Sequence, residues 1–383
     1  MWGPIEVISG RTTSQFFYSP LESSETKIKA EVIEKDKHLF VYPNEALRAG
    51  ETYHLIEEGS SKPLITDIRI REVCILYLIH SDATSSLWEN CPDTDPFQFS
   101  KPDEVINDYS VSQSGEMIFY TKNNDAGGNE IWQVNRNGTN RQIIFDCGQS
   151  NCSDLELDSF IRKLAFIQRG EVQKIVTIDL QTRNVFFIEG SGAEISLSPD
   201  GRFLGMLDDV SGKLKIINLE NKNQISVQSG NGLMGEWARN SQSFLYGEMD
   251  FWGGIPGVSV YELEVNSGEK KSILFDRSQS LEFYQPRYTR DEGIFLASVR
   301  LRSSGAGRQL WLLSEGAEGI KQITTDPQFY YSFPSWSPDY SELVFQRFPI
   351  NRSDGNPQVV IWNQDSDTLR VIAENASKPL WLP

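Results

Sequence analysis

Histidine is nearly absent from this chain of 383 residues: His38, His54 and His80 are the only three, and all precede position 81. The remainder has no imidazole to act as a base, so a Ser-His-Asp arrangement there could not activate its serine. No Gly-x-Ser-x-Gly elbow occurs either. Long apolar runs are missing; the longest, Val73–Ile79, is far short of the ~20 residues a membrane helix needs. Positive charge is scarce, with 36 Lys and Arg against 53 Asp and Glu and a net charge of −17. That balance argues against nucleic acid as a partner, because phosphate binding needs a basic stripe. It argues equally against a polybasic membrane-surface protein.

Cofactor and metal motifs are lacking as well, and none is expected to bind. Gly127-Gly128 and Gly253-Gly254 are not followed by the Lys-Ser/Thr of a phosphate loop. The four cysteines include no Cys-x-x-Cys, which leaves zinc without a usual ligand set. Asn123-Asn124-Asp125 with Glu130 offers oxygens, but the spacing matches no standard calcium loop. Asp208-Asp209 could serve glycosidic chemistry, yet such pairs arise by chance among 53 acidic residues.

With 39% hydrophobic residues the chain is nevertheless globular. Cys147 and Cys152 bracket a short polar loop, while Cys74 and Cys91 flank a hairpin centred near Ser81–Ser85. Residues equidistant from a hairpin turn face each other, so both pairs could form disulfides, as in an oxidising compartment. The competing reading is four buried thiols. Met1–Gly10 has neither a basic n-region nor an apolar h-region. Either the protein is cytosolic, or its signal or anchor is absent from this sequence. The cysteine pairs favour the second, an extracytoplasmic (periplasmic, secreted or envelope-anchored) protein.

An internal repeat organises most of the chain. Ser335-Trp336-Ser337-Pro338-Asp339 leads into Leu343-Val344-Phe345, and Ser196-Leu197-Ser198-Pro199-Asp200-Gly201 leads into Phe203-Leu204-Gly205-Met206. Each reads as a strand, a tight turn and a second strand. Looser copies bring the position of Trp336 round at 111, 157, 197, 237, 288 and 336, at intervals of 46, 40, 40, 51 and 48 residues. Third strands carry an aliphatic-aromatic pair such as Leu87-Trp88, Ile131-Trp132, Leu310-Trp311 and Ile361-Trp362. A period in the forties with four strands per unit predicts an all-β propeller. Lys378-Pro379-Leu380-Trp381 matches Phe333-Pro334-Ser335-Trp336, and Val73–Tyr77 reads as a second strand with no first strand before it. Joining the two fragments completes one blade, which gives seven four-stranded blades over residues 73–383.

The Ser-Pro-Asp-Gly turn, the strand after it and the later Ile-Trp or Leu-Trp strand resemble the TolB-type, WD-repeat-like propeller repeat family. The resemblance covers residues 73–383 and implies the propeller fold, shared with the periplasmic TolB protein and with the propeller parts of some peptidases. Residues 1–72 differ. Pro43, Leu47, Gly50 and Tyr53 fit a pattern that recurs at the end of bacterial Ig-like domains. This likeness implies a small Ig-like β-sandwich, shortened at its start, that would act as a spacer before the propeller.

Loop lengths suggest where such a propeller would bind. The second-to-third connections at 248–257, 300–307 and 347–357 are long and belong to consecutive blades. They carry Asp250, Phe251, Trp252, Arg300, Arg302, Arg308, Arg347 and Arg352, and the nearby fourth-to-first connection adds Phe329, Tyr330 and Tyr331. Aromatics with arginines are the composition of interface hot spots. Internal ion pairs are the competing explanation, with Asp250, Asp291 and Asp354 as candidate partners. The expected function is a non-enzymatic binding or scaffold propeller, monomeric, with a protein, peptide or cell-wall ligand. The alternative is a carbohydrate-active lyase or hydrolase using carboxylates in the central channel. The cysteine reading has a direct check: alkylation before reduction, followed by intact-mass measurement, is expected to label none of the four cysteines. Four labelled thiols would overturn both the pairing and the compartment.

Overall fold

The computed structural model describes residues 5–382 apart from 8–14, 21–26, 36–37, 44–51, 61, 70–72, 82–83, 93, 189, 191, 209, 230–234, 253, 277, 279, 291–292, 303–306, 317–318 and 351–355. Among the described residues the chain is all strand and turn.

Six strands from Ile5–Val7 to Ile65–Arg69 form one antiparallel sheet, in the order first, fourth, third, second, fifth, sixth. Its third strand, Ile28–Lys35, changes partner along its length. Ile28 and Lys29 pair with Tyr18 and Phe17, while residues 30–35 pair with 38–43. Phe16, Tyr18, Ile28, Val41, Tyr53, Leu55 and Ile68 make a single core, and the Tyr18 hydroxyl donates to the Val41 carbonyl at 2.8 Å. Of the motif that suggested an Ig-like domain, Tyr53 lies in this core, whereas Leu47 and Gly50 fall outside the described residues. The six strands are joined through this third strand, which is shared between one set with the first and fourth strands and another with the second, fifth and sixth.

The remaining strands form seven four-stranded antiparallel sheets. Sheets II to VII take their strands in chain order, over residues 106–146, 151–188, 192–228, 236–274, 281–322 and 329–374. Sheet I combines the C-terminal strand Ala376–Leu382 with Cys74–Ser81, Thr84–Asn90 and Phe97–Gln98, in that order. Each sheet packs on the next, sheet VII also packs on sheet I, and the first strands touch from sheet II through sheet VI and between sheets VII and I. This is a β-propeller. Second strands such as Leu164–Ile167 and Phe203–Asp208 are buried throughout, as expected for strands covered on both faces. Outer strands such as Val185–Ile188 are largely exposed.

The repeat holds residue by residue. Val111, Leu157, Leu197, Trp237, Tyr288 and Trp336 each pair with the residue seven positions later. The Ser-Pro-Asp turn works through its side chains. Ser198 Oγ accepts from the Phe203 N–H at 2.9 Å, and Asp200 Oδ1 accepts from the Ser198 hydroxyl and the Arg202 N–H. Ser337 and Asp339 repeat the arrangement. Where the motif is lost, near Phe160, Asp158 occupies the serine position and its Oδ1 accepts from the N–H groups of Arg162 and Lys163. One turn is thus stabilised by two chemistries, which explains why the repeat fades in sequence and persists in space.

Both cysteine pairs form disulfides. Cys74 and Cys91 are cross-strand neighbours beside the pair Ile75 and Asn90, in the register set by the turn at Ser81 and Thr84. Closure of sheet I rests on Ala376–Leu382, whose residues pair with Cys74 to Ile79. Removing residues 378–383 strips most of this strand, exposes the edge of Cys74–Ser81 and takes away the buried Trp381. Calorimetry is expected to show a loss of several kcal/mol of stability, and an unchanged melting temperature would mean that the tail does not close the ring.

Candidate functional site

Sheets V, VI and VII carry the anticipated rim residues, with one change of form. Residues 248–257 are a continuation of two ten-residue strands, Ser243–Trp252 and Ile255–Glu264, rather than a loop. Cross-strand pairing runs the whole way to Trp252 and Ile255, so the hairpin stands out as a rigid ribbon. Met249 and Phe251 are exposed on one face of it and Ile255 on the other, with Phe251 at 69%. Leu301 of sheet VI and Phe348 of sheet VII are exposed at the same ends of their sheets. Asp250 accepts from the Tyr261 hydroxyl at 2.6 Å within its own sheet.

Among the described residues, Arg300 and Arg302 share an acid that was not anticipated. Glu282 is their acceptor in sheet VI: Arg302 Nε lies 2.9 Å from one oxygen and Arg300 Nη1 3.8 Å from the other, which also accepts from the Tyr284 hydroxyl at 2.6 Å. Burial alone would raise the Glu282 carboxyl; hydrogen bonds from Tyr284 and Arg302 and the two arginine charges hold it below its usual value. Arg308 lies over the Tyr284 ring at 3.8 Å. In sheet VII, Arg347 donates to Gln358 Oε1 at 2.7 Å and lies 4.4 Å above the Phe329 ring. Tyr330 stacks on Phe348 at 5.6 Å. Tyr331, expected at the surface, is 2% exposed, because its strand turns it inward against Phe345. Asp291, Arg352 and Asp354 lie outside the described residues. The three sheets meet closely: Arg302 approaches Gly257 of the ribbon, and Gly307 lies so close to the Phe329 carbonyl that a side chain would not fit.

The inner wall of the ring holds a second group that the sequence reading did not single out. First strands carry a bulge, with left-handed backbone at Asp154, Gln285, Phe333 and Lys378. Proline follows three of them, as Pro286, Pro334 and Pro379, where no ladder N–H is required. Around these bulges stand Asp108, Asp154, Glu156, Glu236, Arg287 and Lys378. Lys378 Nζ is 2.8 Å from Asp108, and Arg169 Nη2 is 2.8 Å from Asp154. Glu236 accepts from the Tyr288 N–H at 2.6 Å, and Glu156 accepts from the Leu197 N–H. Burial raises the Glu236 carboxyl, opposed by the charge of Arg287 and the Tyr288 N–H. Burial likewise pushes Glu156 up to about 8, opposed by Leu197 and Arg287 and reinforced by Asp108 and Asp154. Arg287 donates to the Gly235 carbonyl of the adjacent sheet at 2.9 Å, and its charge favours the ionised forms of Glu236 there and of Glu156 three sheets away. A sequence signal existed: Glu156, Glu236 and Arg287 each immediately precede a repeat position.

Among the described residues, Cys74, Glu89 and Cys91 converge in the manner of metal ligands. The disulfide uses both sulfurs, however, and Arg136 Nη2 is 3.0 Å from Glu89. Of the acidic pair at 208–209, Asp208 bonds Lys215 and the Ser211 N–H, which hold its carboxyl near 2, and Asp209 lies outside the described residues.

No family model matches the chain, and no curated protein matches it. Among solved structures, the β-propeller domain of the Trilobed protease from Pyrococcus furiosus aligns with a TM-score of 0.52 and 16% identity, over 70% of this chain and 85% of that one. A prolyl endopeptidase aligns with a TM-score of 0.55 and 10% identity, over 90% of this chain and 50% of its own. TolB from Acinetobacter baumannii aligns with a TM-score of 0.49 and 14% identity, over 92% of this chain and 82% of its own. The likeness to these structures is one of propeller fold.

The wall makes a pH prediction. Between pH 4.5 and about 8 the folded protein keeps a proton on Glu156 that the unfolded chain has released. The folded state then binds more protons, so this contribution is full below pH 4.5 and is lost as pH rises through that window. Glu156→Gln keeps an acceptor for Leu197 and removes the titration. Between pH 5 and 8.5 the wild type is expected to lose on the order of 2 kcal/mol more than the variant in urea denaturation. Parallel losses would show a carboxylate ionised throughout.

Proposed function

We propose that this protein is a non-enzymatic, extracytoplasmic binding propeller of seven blades that engages a protein or peptide through the ends of sheets V, VI and VII. The observation that carries this reading is the ribbon of Ser243–Trp252 and Ile255–Glu264. It holds Met249, Phe251 and Ile255 in water at the end of the sheets where Leu301 and Phe348 are exposed, with Arg302 approaching Gly257 of the ribbon. Apolar side chains on a rigid support, framed by guanidinium groups, have the anatomy of an interface. The arginine pairs with Glu282 set the framing groups in place before a partner arrives, which lowers the ordering cost of binding. Two disulfides support an oxidising compartment. The N-terminal sheet serves in this reading as an Ig-like spacer, and the protein acts as a monomer without nucleic acid or a cofactor. No helix among the described residues is long and apolar enough to cross a membrane.

A carbohydrate-active enzyme remains the second reading, and the raised Glu156 carboxyl is the observation in its favour, since a general acid must hold its proton near neutral pH. Against it, the wall carboxylates named above already bond a backbone N–H or a cation. A random peptide library displayed on phage separates the readings. Selected peptides are expected to lose at least about ten-fold in affinity with Phe251→Ala. Phe187→Ala on an outer strand should leave them unchanged, and both variants should keep stability within about 1 kcal/mol. Failure to select any peptide sensitive to Phe251 would overturn the rim reading.

A further inference from the structure

The opposite ends of sheets IV and V enclose a cleft of about 440 Å³, within the range of small-molecule sites. It lies between the outer turns at Asn218–Asn223 and Asn266–Gly268, away from the ribbon and from the inner wall. Its floor is apolar: Phe203, Ile216 and Val265 are buried in the core shared by the two sheets, and Ile225 packs against them. Phe203 is held from behind by stacking on Trp237 at 6.0 Å. Its rim is made of carboxamides and one hydroxyl. None of the lining residues is charged, although 23% of the chain is.

The turns engage one end of three of the amides, Asn218, Asn221 and Asn266. Asn218 Oδ1 accepts from the N–H groups of Glu220 and Asn221, and Asn221 Oδ1 accepts from the Asn223 N–H. Their oxygens are engaged, and their NH₂ groups remain to donate. Ser267 Oγ accepts from the Glu269 N–H, leaving its own proton to donate. Asn266 is turned the other way, giving its NH₂ to Glu264 and keeping its oxygen as an acceptor. Donors therefore predominate over an apolar floor, and the charges beside the lining already have partners: Arg202, over the Phe203 ring at 5.6 Å, pairs with Asp200, and Glu264 accepts from Asn266 and Ser267.

We propose that this cleft binds a neutral saccharide of one to three sugar units. Hydroxyl and ring oxygens would accept from the amides, and the C–H face of a pyranose would cover Phe203 and Ile225. A charged sugar would find no charged side chain lining the cleft, and its desolvation there would go uncompensated. Titration calorimetry with cellobiose, N,N′-diacetylchitobiose and maltotriose tests this. At least one is expected to bind saturably with a Kd in the millimolar range or below. Asn223→Ala with Gln224→Ala should weaken it at least ten-fold at an unchanged melting temperature, and Asn223→Trp should abolish it by filling the cleft. Phe251→Ala, on the proposed protein-binding rim, should leave it unchanged, so the two sites fail separately. Absence of saturable binding by all three sugars, binding that survives both cleft variants, or equal binding of digalacturonate or triglycine would overturn the proposal.

Discussion

The antiparallel pairing of Ala376–Leu382 with Cys74–Ser81 decides whether the sheets form a ring. Without it, sheet I would consist of three strands with an open inner edge, and sheet VII would lose its neighbour. The C-terminal strand reaches both sides. Trp381 Nε1 donates to the Ser335 carbonyl of sheet VII at 2.9 Å, and Lys378 meets Asp108 of sheet II. The Tyr109 hydroxyl of sheet II donates to the carbonyls of Leu76 and Lys378, tying both strands of the closing pair to the next sheet. The Cys74–Cys91 disulfide then fixes the second strand of the closing sheet to its third.

Polar contacts between neighbouring first strands recur round the ring. Trp237 Nε1 donates to the Ser196 carbonyl at 3.1 Å, as Trp381 does to Ser335. Glu156 and Glu236 each take an N–H from the next sheet, at Leu197 and Tyr288. Carboxylates that in isolation resemble a catalytic group are therefore employed in joining sheets, and the elevated Glu156 carboxyl is a consequence of that burial.

With the interior so occupied, the surface divides into two ends of different chemistry. At one end the long ribbon of sheet V and the Glu282 cluster of sheet VI set apolar groups among arginines. At the other, the outer turns of sheets IV and V form an uncharged, amide-lined cleft. Both depend on the same strand geometry, which sends alternate connections to opposite ends of every sheet.

Much of the ring was legible in the chain. Strand and turn chemistry recur locally, so the positions 111 to 336 and the split closing sheet could be read from spacing, and hairpin register made Cys74 and Cys91 candidate partners, whereas the alternative of free thiols was closed only by the structure. The site was less legible. Arg300 and Arg302 could be found as a cluster, but their partner Glu282 lies on the adjacent strand and only cross-strand register brings it near. Tyr331 and Tyr330 are neighbours in sequence, and the pleat sends one into the core and leaves the other to stack on Phe348. Residues 248–257 have the glycines and proline of a loop, yet they continue a ribbon because pairing persists to its tip. The wall around Glu156 and the cleft beside Asn218 assemble groups from different sheets, a proximity that local patterning does not encode. The sequence determined what each blade is, through interactions spanning a few residues; only the packing of one blade on the next decided which side chains meet.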